Sequence, residues 1–211
     1  MLPPDAAPPP AALHWPAPER NKGPILEVLR RILPRRGRVL ELASGSGQHV
    51  VFFAEHLREL VFLPSDLETR HLESVRAWTA YRALPNVAAP RQLDVCAADY
   101  GIGSVDAIFG ANLLHIAPWS CAEGVFAGAR RHLLPGGVLA LYGPFHVGGK
   151  PTAESNAAFD ADLRRRDPRW GVRDVDALGA LAEHAGLVLR ERVPMPANNQ
   201  MLIFDKPAAQ K

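Results

Sequence analysis

The stretch Arg38-Val-Leu-Glu-Leu-Ala-Ser-Gly-Ser-Gly47, continued by Gln48-His-Val-Val-Phe-Phe-Ala54, decides how this chain is read. Arg38 to Leu42 is a short, mostly apolar run, the pattern of a buried strand. From Gln48 the apolar positions Val50, Phe53, Ala54 and Leu57 recur at helical spacing. Between strand and helix lie Gly45 and Gly47. They let backbone pass close to a ligand, and the helix that starts there offers free amide donors. Strand, glycine turn and helix in that order open a parallel α/β sheet.

The same alternation continues on both sides. Ile25, Leu26, Val28, Leu29, Ile32 and Leu33 predict a helix over 22–33, broken by Pro34 to Arg38. Further strands are expected at 61–63, 91–94, 105–109 and 138–142. Helices are expected at 68–82, 120–133, 153–165 and 175–185, with Pro135-Gly-Gly137 as a turn and Gly186 as the last helix stop. Strands at 187–193 and 201–205 have no helix between them and should pair antiparallel. Strand–helix alternation implies parallel strands joined by right-handed crossovers.

Composition narrows the classes. The chain has 211 residues, 47% hydrophobic and 22% charged, with a net charge of +2. That balance excludes a strongly basic nucleic-acid wrapper and an acidic tail protein. No apolar run approaches the ~18 residues that a membrane span needs. Cys96 and Cys121 are too few for a disulfide framework or a four-thiolate zinc site, and no cluster has metal-ligand spacing. Seven of the 20 prolines fall in the first 18 residues. Residues 1–18 are therefore expected to be a disordered or polyproline-like tail, and 19–211 a single domain. The tail has no Lys or Arg and no continuous apolar stretch, so it is not a secretory signal, and a cytoplasmic location is the default.

In an open α/β sheet, ligands bind at the carboxyl ends of the strands. Here those ends are Ala43–Gly47, Asp66, Asp94, Asn112–His115, Gly143–Lys150 and the hairpin turn Pro194–Asn199. A dinucleotide fingerprint would need a third glycine where Val50 stands, and a phosphate loop would need Gly-Lys-Ser/Thr. Instead three acids accompany the loop: Glu41, Asp66 and Asp94. That set suits a ligand with an amino-acid end, a ribose and an adenine rather than a pyrophosphate. Asp66 is placed to accept both ribose hydroxyls and Asp94 the adenine amino group, while Glu41 organises the loop. Asp66 would otherwise cap the following helix.

This constellation resembles the class I S-adenosylmethionine-dependent methyltransferases. Their loop reads E/D-x-G-x-G-x-G, and Ala43 here replaces the first glycine. Glu19-Arg-Asn-Lys-Gly-Pro-Ile-Leu26, Leu42-Ala-Ser-Gly-Ser-Gly-Gln-His49, Tyr142-Gly-Pro144, Asp167-Pro-Arg-Trp-Gly-Val-Arg-Asp174 and Met195-Pro-Ala-Asn-Asn199 are together similar to one family. These are small methyltransferase-like proteins long filed as a domain of unknown function. The resemblance implies an α/β, Rossmann-like fold: a mostly parallel seven-stranded sheet with a C-terminal antiparallel hairpin. It implies S-adenosylmethionine as cofactor and carries over no settled substrate.

It also implies cofactor contacts from Arg20, Asn21, Glu41, Ala43, Ser44, Gly45, Gly47, Asp66, Leu67, Asp94, Val95 and Asn112. Arg20 would pair with the methionine carboxylate; otherwise it is a surface residue beside an Asn21 cap. His115 and His146 are candidate proton acceptors, against packing for His115 and an exposed loop role for His146. Tyr142, Asn198 and Asn199 are candidate substrate contacts, the two asparagines otherwise turn-formers. Asn112-Leu-Leu-His115 lacks the Pro-Pro-aromatic run that holds a flipped base amine. The expected acceptor is therefore a small molecule, with no nucleic-acid or membrane partner and the option of a homodimer. A non-catalytic, cofactor-binding interaction module is the alternative.

Overall fold

The computed structural model describes residues 7–208. They fall into two compact units, one ending at Asp94 and one beginning at Val95.

The first unit runs α1 (Pro16–Ile32), β1 (Gly37–Leu42), α2 (Gln48–His56), β2 (Leu60–Asp66), α3 (Thr69–Arg82) and β3 (Arg91–Gln92). Its strands are parallel, in the order β3-β2-β1. The last four residues of β1 are all buried, as a parallel strand covered on both faces requires. Leu40, Leu42, Val50, Phe53 and Phe62 form its core with Ile25 and Leu29 of α1. Each such side chain contributes about 1.5–3 kcal/mol on burial. β2 continues through Pro64 to Asp66 instead of stopping at Leu63, so Asp66 is the last strand residue.

The start of the ordered chain differs from the sequence expectation of Glu19. α1 begins at Pro16, where a proline at the first helical position leaves no needed donor unmet. Upstream, Leu13 donates its amide to Ser74 Oγ at 2.7 Å, and Trp15 donates its amide to Gln48 Oε1 at 2.6 Å. The Trp78 indole donates to the Leu13 carbonyl at 2.8 Å. Proline density thus misplaced the boundary: a proline-flanked strand of chain can still be anchored by its non-proline amides. Residues 1–6 of the expected tail lie outside the described residues.

The second unit runs β4 (Val105–Ala111), a 3-10 turn (Leu114–Ile116), α4 (Trp119–His132), β5 (Leu133–Gly143), β6 (Phe145–His146), α5 (Glu154–Arg166), β7 (Arg173–Asp174), α6 (Val175–His184), β8 (Val188–Met195) and β9 (Asn199–Asp205). Its main strands lie in the order β4-β5-β9-β8, the first pair parallel and the others antiparallel. Phe126 of α4 and Phe204 of β9 meet edge to face at 5.0 Å in its core. α6 opens with Asp174 capping the Asp176 amide and closes at Gly186, with φ +71.

Two features of this unit were not expected. Pro135-Gly-Gly137 is not a free turn but a bulge inside β5: pairing jumps from Val105–Leu133 to Ala107–Val138. Gly136 takes φ +81 there, and its amide donates to the Lys206 carbonyl. β6 and β7 form a separate two-stranded parallel sheet.

Apart from β6 and β7, the seven strands, mostly parallel with a C-terminal antiparallel pair, give the α/β class expected from the sequence. No described helix is long and apolar enough to cross a membrane.

Candidate functional site

In the first unit a candidate site lies at the carboxyl ends of β1 and β2. After Leu42 the backbone turns through left-handed conformations at Ala43 (φ +51), Gly45 (φ +55) and Gly47 (φ +83). A non-glycine residue in that region is strained by roughly 1–2 kcal/mol, so Ala43 stands where glycine would sit without strain. Gly47 approaches α3 so closely that a Cβ would lie 3.0 Å from the Val75 Cα. Gly45 is covered differently. A Cβ there would lie 2.6 Å from the Trp15 ring, so Trp15 rests on the glycine loop.

Asp66 ties this loop together. It is buried, and its Oδ2 accepts the Gly45 amide at 2.8 Å. Its Oδ1 accepts the Glu68 amide and faces His71 Nδ1, both at 3.0 Å. The cap position of α3 is Glu68, and Asp66 sits two residues before it. Ser44 is equally fixed: its amide donates to the Ser65 carbonyl at 2.8 Å, and its hydroxyl oxygen accepts the Ser65 amide at 3.2 Å.

Glu41 is the outlier of the loop. It is buried within β1, and its Oε2 has no hydrogen-bond partner among the described residues. Burial pushes its carboxyl up to about 8; a hydrogen bond from the Ser44 side chain opposes the rise and the Asp66 charge adds to it. A buried acid with an unsatisfied oxygen fits the positive amino group of an amino-acid ligand, which would supply both charge and donors.

α1 adds polar groups beside the loop. Asn21 Oδ1 lies 2.7 Å from His49 Nε2. His49 is buried, which, with the Lys22 charge adding, holds it down to about 4; the neutral ring donates to Asn21. Glu19 accepts from Gln48 Nε2 at 3.0 Å and pairs with Lys22. Arg20 points to the exposed side of α1, and Leu67 is 54% exposed with its carbonyl accepting from Gln92. Asp94 is exposed. Trp15, Gln48 and His71 were not singled out by the sequence. Trp15 fell within the proline-rich stretch, Gln48 stood in a quoted motif without a role of its own, and His71 belongs to no local motif.

The second unit presents another cluster, at the carboxyl ends of β4 and β5. Asn112 takes φ +57 and donates its amide to the Tyr142 carbonyl at 2.8 Å. Gly143 leaves room beside it: a Cβ there would lie 3.4 Å from His115 Nδ1 and 3.7 Å from Asn112 Oδ1. Asn112 and His115 are thus brought together, and Tyr142 is buried in the adjoining strand. His115 is buried, with the edge of Phe159 against it at 5.4 Å between ring centres. Burial holds its pKa down to about 4, and the Arg173 charge adds to this. Arg173 donates to the carbonyls of Leu114, Ala117 and Arg169, fixing the turn that carries His115.

His146 Nε2 is buried without a hydrogen-bond partner among the described residues. The asparagines of the last turn serve the chain itself. Asn199 donates to the Pro196 and Ala197 carbonyls. Asn198, at φ +57, donates to Ser155 Oγ at 3.0 Å. Buried Asn156 holds the turn by donating to the Asn198 carbonyl at 2.9 Å. Val95 is buried, its carbonyl accepting the Tyr100 hydroxyl at 3.2 Å.

Solved structures with this fold include an O-methyltransferase family protein from Burkholderia thailandensis. It has TM-score 0.77 and 18% identity, covering 92% of this chain and 58% of that one. An O-methyltransferase family 2 protein from Planctomyces limnophilus, in complex with apigenin, gives TM-score 0.75 and 15% identity over 90% and 60%. The calicheamicin-biosynthesis methyltransferase CalO1, in its SAH-bound form, gives 0.71 and 17% over 90% and 54%. The chain spans little more than half the length of these structures. A family model, "Protein of unknown function (DUF938)", matches residues 13–206. That range takes in nearly all of the 211 residues, from Leu13 ahead of α1 to the end of the last strand pair, and the chain belongs to this family of unknown function.

Proposed function

We propose that this chain binds S-adenosylmethionine and transfers its methyl group to a small-molecule acceptor. The observation that carries the reading is Glu41: a buried acid with an unsatisfied oxygen, one turn from two left-handed glycines. The fold shared with O-methyltransferases supports it. In this reading Glu41 receives the amino group, the backbone of Ala43, Ser44, Gly45 and Gly47 runs along the ligand, and Asp66 takes the ribose hydroxyls. Leu67, Asp94, Val95 and Asn112 line the adenosine, and Arg20 and Asn21 serve the carboxylate.

When bound, the cofactor supplies a methyl group already activated by its sulfonium. The protein's task is then alignment more than acid–base chemistry. In this reading His115, kept neutral by burial, receives a hydroxyl acceptor's proton once bound ligand offsets the burial that opposes its charge, with His146 as the second such group and Tyr142, Asn198 and Asn199 on the acceptor side. We place this activity in the cytoplasm.

Calorimetric titration with S-adenosylmethionine tests the cofactor half. The wild-type chain binds, and Asp66→Ala, checked for folding by thermal melt, weakens binding on the order of 100-fold. A folded wild-type chain that takes up no cofactor contradicts the reading. Labelled methyl transfer to a small-molecule extract tests the other half. Binding without any transfer would instead favour the non-catalytic module.

A further inference from the structure

Two cysteines far apart in sequence meet in the second unit. Cys96 Sγ and Cys121 Sγ lie 3.4 Å apart, in contact across 25 residues. Neighbouring residues bring about the meeting. Cys121 and Gly124 lie on one face of α4, and a Cβ on Gly124 would lie 2.2 Å from the Val95 carbonyl oxygen and 3.0 Å from the Cys96 Cα. Only a residue without a side chain lets the 95–96 segment come so close to the helix. Tyr100 then pins both partners, its hydroxyl bonding the Val95 carbonyl at 3.2 Å and the Gly124 carbonyl at 2.9 Å.

Cys121 lies in the first turn of the 14-residue α4, at the positive end of its dipole. Arg173 faces it as well. Burial lowers the Arg173 pKa and the Arg164 charge adds to this, while Asp160 and Cys121 raise it, so the guanidinium lies within electrostatic reach of the Cys121 sulfur. Cys121 is half-buried and Cys96 exposed, so a small oxidant reaches the pair. A solvent-accessible thiol in contact with a second thiol is the arrangement of redox-responsive cysteines.

We propose that Cys96 and Cys121 are a reactive dithiol that peroxides close to an intramolecular disulfide. The Cys121 thiolate attacks one peroxide oxygen and the O–O bond breaks. The sulfur is oxidised to a sulfenic acid, and the other oxygen leaves as hydroxide and takes a proton. The Cys96 thiol then attacks that sulfur, its proton passing to the departing hydroxide as the S–S bond forms. Two thiols give up two electrons, and one hydrogen peroxide becomes two waters. The closed bond staples residues 95–96 to the first turn of α4. Val95 also belongs to the cofactor reading, but the dithiol is argued from its own geometry and does not depend on that reading.

The test uses the full, reduced chain. It is treated with hydrogen peroxide, blocked with iodoacetamide, digested without reductant and mapped by mass spectrometry. A cross-linked peptide joining Cys96 to Cys121, lost on adding dithiothreitol, is expected. Cys96→Ser should trap Cys121 as a dimedone-reactive sulfenic acid. Cys121→Ser should leave Cys96 reacting at least about tenfold more slowly than Cys121 does. Both wild-type thiols remaining open to alkylation after peroxide, or cross-links forming only between chains, would overturn the proposal. Cys96 reacting as fast as Cys121 would overturn the assignment of the attacking thiol.

Discussion

The glycine loop of the first unit and the His115 cluster of the second are built by opposite means. In the first, Asp66 reaches back 21 residues and bonds the loop amide directly. The polar side chains there hold the loop backbone, and one acid oxygen, on Glu41, is left over. In the second, the polar side chains are committed to distant carbonyls: Arg173 to residues up to 59 positions away, Asn156 to one 42 away and Gln200 to one 55 away. In the first region the side chains accept backbone amides, as Asp66 and Gln48 do. In the second they donate to carbonyls from regular elements, Asn156 from α5, Arg173 from β7 and Gln200 from β9.

The largest expected effect sharpens that contrast. Arg173→Ala removes the donors that hold three carbonyls and should destabilise the chain by about 3 kcal/mol, read by urea denaturation. Lys at this position should restore little, because a single ammonium cannot replace the planar fork. If Arg173→Ala is neutral, the second region is not held as described.

Acid titration compares the two regions through one residue type. His49 in the first and His115 in the second both have a native pKa of about 4 against an ordinary 6.5. Below 6.5 the unfolded chain takes up protons that the native chain refuses. The stability these residues contribute is therefore present above pH 6.5 and lost as pH falls through about 4, by at most about 3 kcal/mol each. His49→Gln and His115→Gln should each flatten the acid limb of a stability–pH curve. A limb unchanged in either variant would remove that histidine from the account.

These two regions also show what the sequence could reveal. The strand, the glycines and Asp66 were legible because each belongs to a local pattern of apolar period, turn residue and strand end. So were the fold class and the final antiparallel pair. Trp15 was not, because proline density was read as a tail while anchoring depends on the amides between prolines. The Pro135–Gly137 bulge was not, since a turn and a bulge use the same residues and differ only in which strand lies alongside. The hold of Arg173 on Leu114 and Ala117 and the meeting of Cys96 with Cys121 leave no local signal, as these partners lie tens of residues away.

A smaller effect probes the loop itself. Ala43→Gly relieves the left-handed strain at φ +51 and adds freedom to the unfolded chain. The balance should be a stabilisation of no more than about 1 kcal/mol, seen as a small rise in the urea midpoint. A clear destabilisation would show that the Ala43 methyl has a packing role.

The central claim is that Glu41 is the acid that receives a ligand's amino group. With its pKa at about 8, Glu41 holds a proton at pH 7, and a bound ammonium would drive that proton off. Calorimetric titration with S-adenosylmethionine in buffers of different ionisation enthalpy measures this directly. Binding should release close to one proton per chain in the wild type, and Glu41→Gln should bind more weakly and release none. Binding without proton release, or with the same release in Glu41→Gln, would contradict the account.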